Sequence, residues 1–528
     1  MALAHTFGRI ARSNILTLPA VYGRHVALKS CPASQTLDTV PEVKPFEDIP
    51  GPKGIYTWPL IGTMLHFKPF SKIEPVSFHV LLDQMFDKYG PIFKIQLWEP
   101  VVVVCDPKDV ETVFRNEGKY PMRNKMSINT VYSRRNNFKL TLSELDGEKW
   151  HALRSPLNRK LMKVDSAQYY LKPQNVVADE FVHILATKQM KPKVLEELFF
   201  RYAVESISVV CFNTRLGFLD SDAMEDKETA KLLQASQDVF VCIHKSLFEM
   251  AYIWFRSNVY RDFEDNKLLI RKLNYLHFRQ VIQHIMDAQL VLEARRRNGT
   301  LDPDEPNLLL SLLSDSSIDF MDVVGIMDGL YIAGTDSTAK NLQTLFYNLA
   351  INPDKQEALR KEIISVLGPD APVTAECLAK IPYLKACLKE SFRLHYPTMT
   401  GTQRRLAADA VLSGYKVPAG TTVAFHNPRS CRKYFLNPDK FIPERWLRSS
   451  DGRHTEDIPA TASLPFGYGP RNCAGRRFAE QEIYLAVIKV IQKLKVDIDS
   501  DSYNTNFIYT TFIQPEKPIK FKFSQIED

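Results

Sequence analysis

From Phe320 onward, apolar side chains recur with a helical period. They fall at Phe320, Val323, Val324, Met327 and Leu330, then at Leu342, Leu345, Phe346 and Leu349. The pattern predicts one unusually long helix, capped by Ser316 or Ser317 and stopped at Asn352-Pro353. About 34 residues at 1.5 Å rise make roughly 50 Å, enough to cross a large domain. Its middle is interrupted by AGTDST, Ala333 to Thr338. The next helix has Asn352 as N-cap, Pro353 at its first position and Gly368 beyond its end. A last helix repeats Phe478, Leu485, Ile488 and Ile491 on one face. Strand signals are fewer. IFKIQLW (Ile92 to Trp98), a Glu99-Pro100 turn and VVVVC (Val101 to Cys105) predict a hairpin, and KVPAGTTVAF (Lys416 to Phe425) predicts short strands. FEDIPGPKGIYTWPLIGT (Phe46 to Thr63) marks entry to the folded body, and RRRNGTLDPDEP (Arg295 to Pro306) is a polar loop. The fold class is mainly α with small sheets.

Composition is globular: 528 residues, 45% hydrophobic and 24% charged. Length alone suggests about three domains. The net charge of +7 is concentrated early, because Arg9, Arg12, Arg24 and Lys29 all precede the first acid, Asp38. The remainder is only mildly basic, which argues against nucleic acid as a partner. The acid-free, Ser- and Ala-containing segment 1–37 reads as a mitochondrial transit peptide, since Arg9 and Arg12 interrupt any secretory core. No run of about 20 apolar residues offers a membrane anchor. Residues 38–62 then form a Pro/Gly-rich linker and 63–528 the functional domain. The eight cysteines are scattered with no CxxC, which suits a reducing compartment and excludes a disulfide scaffold or zinc ribbon.

One cysteine stands in an unusual setting, FGYGPRNCAG, Phe466 to Gly475. Gly467, Gly469 and Pro470 make a tight turn that delivers Cys473 to the start of the last helix. Helix N-termini favour negative charge, so a cysteine there is stabilised as thiolate. Arg471 is ready to meet an anion, Gly475 permits close approach of something flat, and Phe466 can pack against it. A lone thiolate suits one axial bond to haem iron better than a zinc site. A buried structural cysteine is the commoner state for one Cys taken alone.

The order Phe466, Gly469, Arg471, Cys473, Gly475 resembles the F-x-x-G-x-R-x-C-x-G pattern of the cytochrome P-450 family, and further segments match in order. Glu390 and Arg393 in KESFR resemble the E-x-x-R pair, and PERW (Pro443 to Trp446) supplies Arg445 to a buried network with them. Trp150 and Arg154 in WHALR resemble the W-x-x-x-R motif that binds a haem propionate. Arg404 in TQRRL matches another propionate arginine, with Arg405 its rival. The resemblance spans about residues 45 to 525. It implies a single helical domain, with haem b held by a cysteine thiolate between the long helix and the cysteine helix.

AGTDST is similar to the family's acid–alcohol motif. Ala333 and Gly334 would let a ligand lie against the helix, a local bulge is expected there, and Asp336 with Ser337 or Thr338 would relay protons. The alcohol position usually holds Thr; here it is Ser337, with Thr338 following. A Ser/Thr pair bonding back along the helix is the alternative. Without a GxGxxG after a strand, electrons need a separate donor. Lys385 and Lys389 on one helix face, with Arg476 and Arg477 beside the cysteine, resemble the mitochondrial branch. There such bases receive an acidic [2Fe-2S] ferredoxin of adrenodoxin type, reduced by an NADPH-dependent ferredoxin reductase.

That branch oxidises sterols, ecdysteroids, secosteroids and some xenobiotics. The stretches near Asn124 to Leu140, Tyr396 to Gly401 and Phe507 to Phe512 would line a lipophilic site. YIWFRSNVY (Tyr252 to Tyr260) would rest on the matrix side of the inner membrane or pack as core. The resemblance implies a haem-thiolate monooxygenase. An oxygen-independent isomerase or dehydratase on the same fold, and a non-catalytic haem sensor, are the competing readings.

Overall fold

The structure is a computed structural model. It describes residues 42–526 except 59–60, 98, 124–126, 164, 222–225, 301, 303–304, 400–402 and 449–455, and without the side chains of 250–251 and 271–282. The transit segment 1–37 lies outside the described residues. The chain from Val43 onward forms one compact unit, mostly helical with small sheets.

The long helix runs from Phe320 to Ala350, 31 residues, and is α-helical throughout, so the bulge expected at AGTDST is absent. Its N-cap is Asp319, whose carboxylate accepts from the Asp322 N–H at 2.9 Å. The expected caps are displaced because Asp315 captures the Ser317 hydroxyl at 2.6 Å, and the helix starts two residues later. From Thr335 onward every residue except Ser337 is buried, as expected for a helix that is enclosed on all sides. Its neighbour, Pro192–Phe212, approaches so closely that a Cβ on Gly334 would stand 2.9 Å from Ile207. Gly334 therefore serves helix packing rather than the ligand contact expected of it.

The following helix, Pro353–Leu367, ends at Gly368 with φ 79°. Asn352 occupies its N-cap position, but its side chain donates back to the Asn348 carbonyl at 2.8 Å instead of capping. The helix Asn258–Arg297 absorbs Arg295 to Arg297, so the polar break begins at Asn298. The cysteine helix spans Arg476–Lys493 and buries most of its circumference against the same core as the long helix.

The predicted hairpin pairs Ile92–Gln96 with Pro100–Val104, antiparallel. Pro100–Val104 also pairs, in parallel, with Thr422–Phe425, which pairs antiparallel with Gln403–Arg405. A central strand covered on both faces explains the unbroken VVVV run. Residues 43–58 lie on this side of the body: Pro50 accepts from the Lys94 N–H at 2.8 Å, and Ile49 is buried. Among the described residues, no helix is long and apolar enough to cross a membrane.

Candidate haem and oxygen site

The turn before the cysteine helix is set by two glycines. Gly467 and Gly469 hold φ of 71° and 72°, and a Cβ on Gly469 would collide with the Glu117 carboxylate. Side chains are strongly disfavoured in this region of φ. The turn closes where the Cys473 N–H donates to the Phe466 carbonyl at 2.8 Å. By accessible surface Cys473 is exposed, and that surface opens onto a cavity of about 650 Å³, while protein is dense around the thiol itself. Burial pushes its pKa up, against the pull of the Gly475 N–H and of Arg154. The helix begins only at Arg476, with Gly475 as its N-cap, so the expected thiolate stabilisation by the helix end is outweighed by desolvation. Gly475 has an ordinary φ of −86°, and a Cβ there would meet no protein atom within 4 Å. Neither backbone nor internal packing demands that glycine. Phe466 lines the cavity and meets Phe392 edge-on at 5.4 Å.

Trp150 and Arg154 stand one turn apart on the helix Gly147–Leu161 and both line the cavity. Arg154 donates to the Asn472 carbonyl at 2.6 Å and has no ion pair among the described residues. Arg471 is buried, with its Nε on the Pro121 carbonyl at 2.6 Å, its Nη2 on the Leu145 carbonyl at 2.9 Å and on Asp146, and its Nη1 outside the described hydrogen bonds. Most of its fork is thus taken up by protein rather than left for the expected anion. The strand Gln403–Arg405 alternates. Arg404 points inward and pairs with Glu117, whereas Arg405 points outward to the Gly420 carbonyl and Glu99. Arg404 does not line the cavity.

Sequence reasoning missed Arg123. It lines the cavity and its Nη2 donates to the Arg471 carbonyl at 3.1 Å. Burial, then Arg404, Arg471 and Arg154, lower its pKa to about 9. Four guanidiniums, three of them buried and that of Arg123 half-buried, therefore gather around two carboxylates, Glu117 and Asp146. That excess of positive charge at the cavity wall fits a dianion such as the paired propionates of haem. Among the described residues no three His, Cys, Asp or Glu side chains converge on a metal, so the donor set is one thiol with a basic wall, which fits haem.

Ser337 and Thr338 reach the cavity; Asp336 does not. Ser337 donates to the Ala333 carbonyl at 2.7 Å, the back-bonded alternative. Thr338 is buried and its hydroxyl approaches Glu482 of the cysteine helix, a carboxyl that burial raises to about 8. Asp336 pairs instead with Lys340, Nζ to Oδ2 2.9 Å.

Glu390, Arg393 and Arg445 meet in one buried network. Glu390 accepts from Arg393 at 2.9 and 3.0 Å, Arg445 at 3.1 Å, the Trp446 indole at 2.8 Å and the Ile442 N–H at 2.9 Å. On the outside, Lys389 is exposed, and Arg476, Lys385 and Arg448 lie close enough to depress its pKa beyond the effect of burial. Arg476 is also tied to Glu480 at 3.0 Å. Arg477 is half-buried and makes no hydrogen bond or ion pair among the described residues. Arg448 is an addition that a lone charge could not announce.

A helical body with one thiol facing an arginine-walled cavity defines a haem-thiolate protein. The chain belongs to the cytochrome P450 family: the family model described as Cytochrome P450 matches residues 52–523. That family binds haem through a cysteine thiolate, and the chain is a monooxygenase enzyme. It is 33% identical over 507 residues to "Probable cytochrome P450 12e1, mitochondrial" of Drosophila melanogaster, covering 91% of this chain and 93% of the relative. It is 32% identical to "Probable cytochrome P450 12a5, mitochondrial" of the same fly, covering 92% of each. It is 29% identical to "Cytochrome P450 10" of Lymnaea stagnalis, covering 94% of this chain and 91% of the relative.

Proposed function

We propose that the chain is a mitochondrial haem-thiolate monooxygenase in which Cys473 would supply the thiolate that holds the haem, acting on a lipophilic sterol, steroid, secosteroid or xenobiotic. The observation that carries this reading is the Cys473 thiol facing a cavity walled by more arginine charge than its carboxylates balance. Haem, when bound, supplies the reductive activation of O2 that puts one oxygen atom into the substrate. Arg123, Arg154 and Trp150 would hold its propionates, joined by Nη1 of Arg471. Arg404 would act through the field of the cluster. Phe466 and the absent side chain at Gly475 leave room for a flat ring. Ser337 and Thr338 would hold protons at the cavity wall, supplied from Asp336. The Glu390–Arg393–Arg445 network keeps the helix beneath the cysteine turn in place, through the Phe392–Phe466 contact. Val239, Phe240, Ile243, Leu330, Ile332 and Phe512 give the cavity an apolar lining that excludes water and admits a lipophile.

Electrons would come from NADPH through a ferredoxin reductase and an acidic [2Fe-2S] ferredoxin that docks on Lys385, Lys389, Arg476 and Arg477, with Arg448 extending the basic face. The mitochondrial names of relatives and the composition of residues 1–37 support import to the matrix. In this reading 38–62 leads into the domain 63–528. Contact with the inner membrane draws support from Trp254 and Phe255, which are exposed while Tyr252 and Tyr260 of the same segment are buried.

The test is direct. Reduced enzyme with CO should give the Soret band of thiolate ligation, and Cys473→His should abolish it; a histidine-type band in the unaltered enzyme sinks the assignment. Lipid extracts incubated with ferredoxin, its reductase and NADPH should then yield a product heavier by one oxygen.

A further inference from the structure

Lys340 lies one turn beyond Asp336 on the long helix. Its ammonium donates to Asp336 Oδ2 at 2.9 Å, and the two side chains are 5% and 2% exposed. A lysine buried in the middle of an enclosed helix carries a large desolvation cost that needs a partner. Its second partner is the Thr510 hydroxyl at 3.3 Å, which also pairs with Gln514 at 3.0 Å. Thr510 sits in the tight turn between the strands Phe507–Tyr509 and Ile513–Pro515. Two residues further, Phe512 lines the cavity.

Thr511, between them, holds φ 95°. A β-branched residue rarely adopts that conformation, and such strain collects at functional positions. Its hydroxyl is fixed to the Phe240 carbonyl at 3.0 Å, and the Phe240 ring meets Phe512 at 5.3 Å. Asp336 is thus connected through Lys340 and Thr510 to a turn whose tip touches the substrate space. Its other oxygen, Oδ1, is buried and has no hydrogen-bond partner among the described residues. Asp336 borders a separate cavity of about 20 Å³, where Ser236 and Gln237 of the helix Lys227–Lys245 face it. Phe240 and Ile332 line both spaces and stand between them.

Other charges near the pair come from the helix Pro192–Phe212. Glu196 attracts Lys340 and repels Asp336, and Lys193 offsets Glu196. The helix Lys227–Lys245 lines the small cavity with neutral groups, and the turn and the strand after it bring the neutral Thr510 and Gln514.

We propose that Lys340 is a positioning residue for the oxygen chemistry: it keeps Asp336 a carboxylate turned from the cavity, and the Thr510–Phe512 turn holds Lys340 to that task. The proposal rests on the reading of Asp336 as the proton source. Burial pushes the Asp336 carboxyl up and Lys340 pulls it back. Without the ammonium, only the burial that favours the protonated carboxyl remains.

Infrared spectra of haem-loaded protein test this without turnover. Lys340→Met should show at pH 7 one protonated-carboxyl band in addition to that of Glu482, and the added band should be absent from the unaltered protein and from Lys340→Met/Asp336→Asn. With ferredoxin, reductase and NADPH, the acidic limb of NADPH oxidation should move up by about one pH unit or more. Lys340→Arg should restore both readouts, and Thr510→Val should shift both in the same direction by less. Should Lys340→Met fail to hold haem, Lys340→Gln carries the same infrared comparison. A carboxyl that stays ionised in either variant overturns the proposal. Unimpaired turnover of Asp336→Asn would instead overturn the proton-source reading, whatever the infrared result.

Discussion

The guanidinium carbon of Arg471 lies 4.2 Å from the centre of the Trp150 ring, while its Nη2 is ion-paired to Asp146. One side chain thereby joins the cysteine turn to the helix Gly147–Leu161 by a flat contact with its Trp150 and an ion pair with its N-cap residue, while its Nε reaches the Pro121 carbonyl. Lysine keeps the charge but lacks both geometries. Arg471→Lys should cost about 1–3 kcal/mol by urea unfolding and should loosen haem retention. Trp150→Leu should cost about 1–2 kcal/mol through the lost cation–π contact, beyond its lost packing. A double-mutant cycle on unfolding checks that the two losses are coupled rather than additive.

Glu390 is fully buried and balances two arginines at once. Removing its charge leaves Arg393 without a carboxylate partner and Arg445 with Glu456 alone in a low-dielectric interior. Glu390→Gln should destabilise the fold by about 3–5 kcal/mol, although it keeps the shape and both heavy atoms. The measurement is the unfolding midpoint together with the yield of haem-loaded protein. A midpoint within experimental error of the unaltered enzyme would remove the network from any account of how the cysteine turn is held.

These expectations differ in how much of each was visible along the chain. The Glu390–Arg393 pair is readable because a spacing of three places both on one helix face, and the cysteine turn because its glycines must take positive φ. Arg123 was not readable. It is a single arginine, and its meaning comes from Arg154, Arg404 and Arg471, which arrive from three distant segments. Arg404 and Arg405 were inseparable until strand alternation turned one inward. Gly334 looked like ligand space because Ile207, its true neighbour, lies on another helix. The long helix was legible from its apolar period, whereas its start depended on a local contest between Asp315 and Asp319 for the first caps. The parallel pairing of Pro100–Val104 with Thr422–Phe425 joins strands far apart in sequence, and only the unbroken apolar run hinted at it.

Glu482 of the cysteine helix accepts from Gln174 at 3.3 Å and lies near the Thr338 hydroxyl of the long helix, and burial raises its pKa from an ordinary 4.5 to about 8. A carboxyl raised in the folded state binds its proton more tightly there than in the unfolded chain. Its contribution to stability is therefore complete below about pH 4.5 and is lost progressively as pH rises through about 8. Over that window the unfolding midpoint of the unaltered protein should fall by an amount equivalent to a few kcal/mol. Glu482→Gln should flatten the slope and leave the protein more stable than the parent at pH 8. A parallel pair of pH curves for the two proteins would mean that Glu482 does not titrate in this range.

Lys385, Lys389, Arg476 and Arg448 form a basic face on the side of the cysteine helix, where Glu480 acts on Lys389 in the opposite sense. If that face receives an acidic electron donor, the effect belongs to association and not to chemistry. Lys389→Glu should raise the apparent KM for ferredoxin about tenfold, equivalent to about 1.4 kcal/mol, while kcat at saturating ferredoxin is unchanged. Lys385→Glu should act in the same direction. Raising ionic strength from about 0.01 to 0.15 M shortens the screening length from about 30 to 8 Å. The unaltered enzyme should therefore lose apparent affinity for ferredoxin with salt, and the charge-reversed variants should lose much less. Stopped-flow reduction under CO at both salt concentrations separates the cases, because equal salt dependence in parent and variants would move the donor to another face.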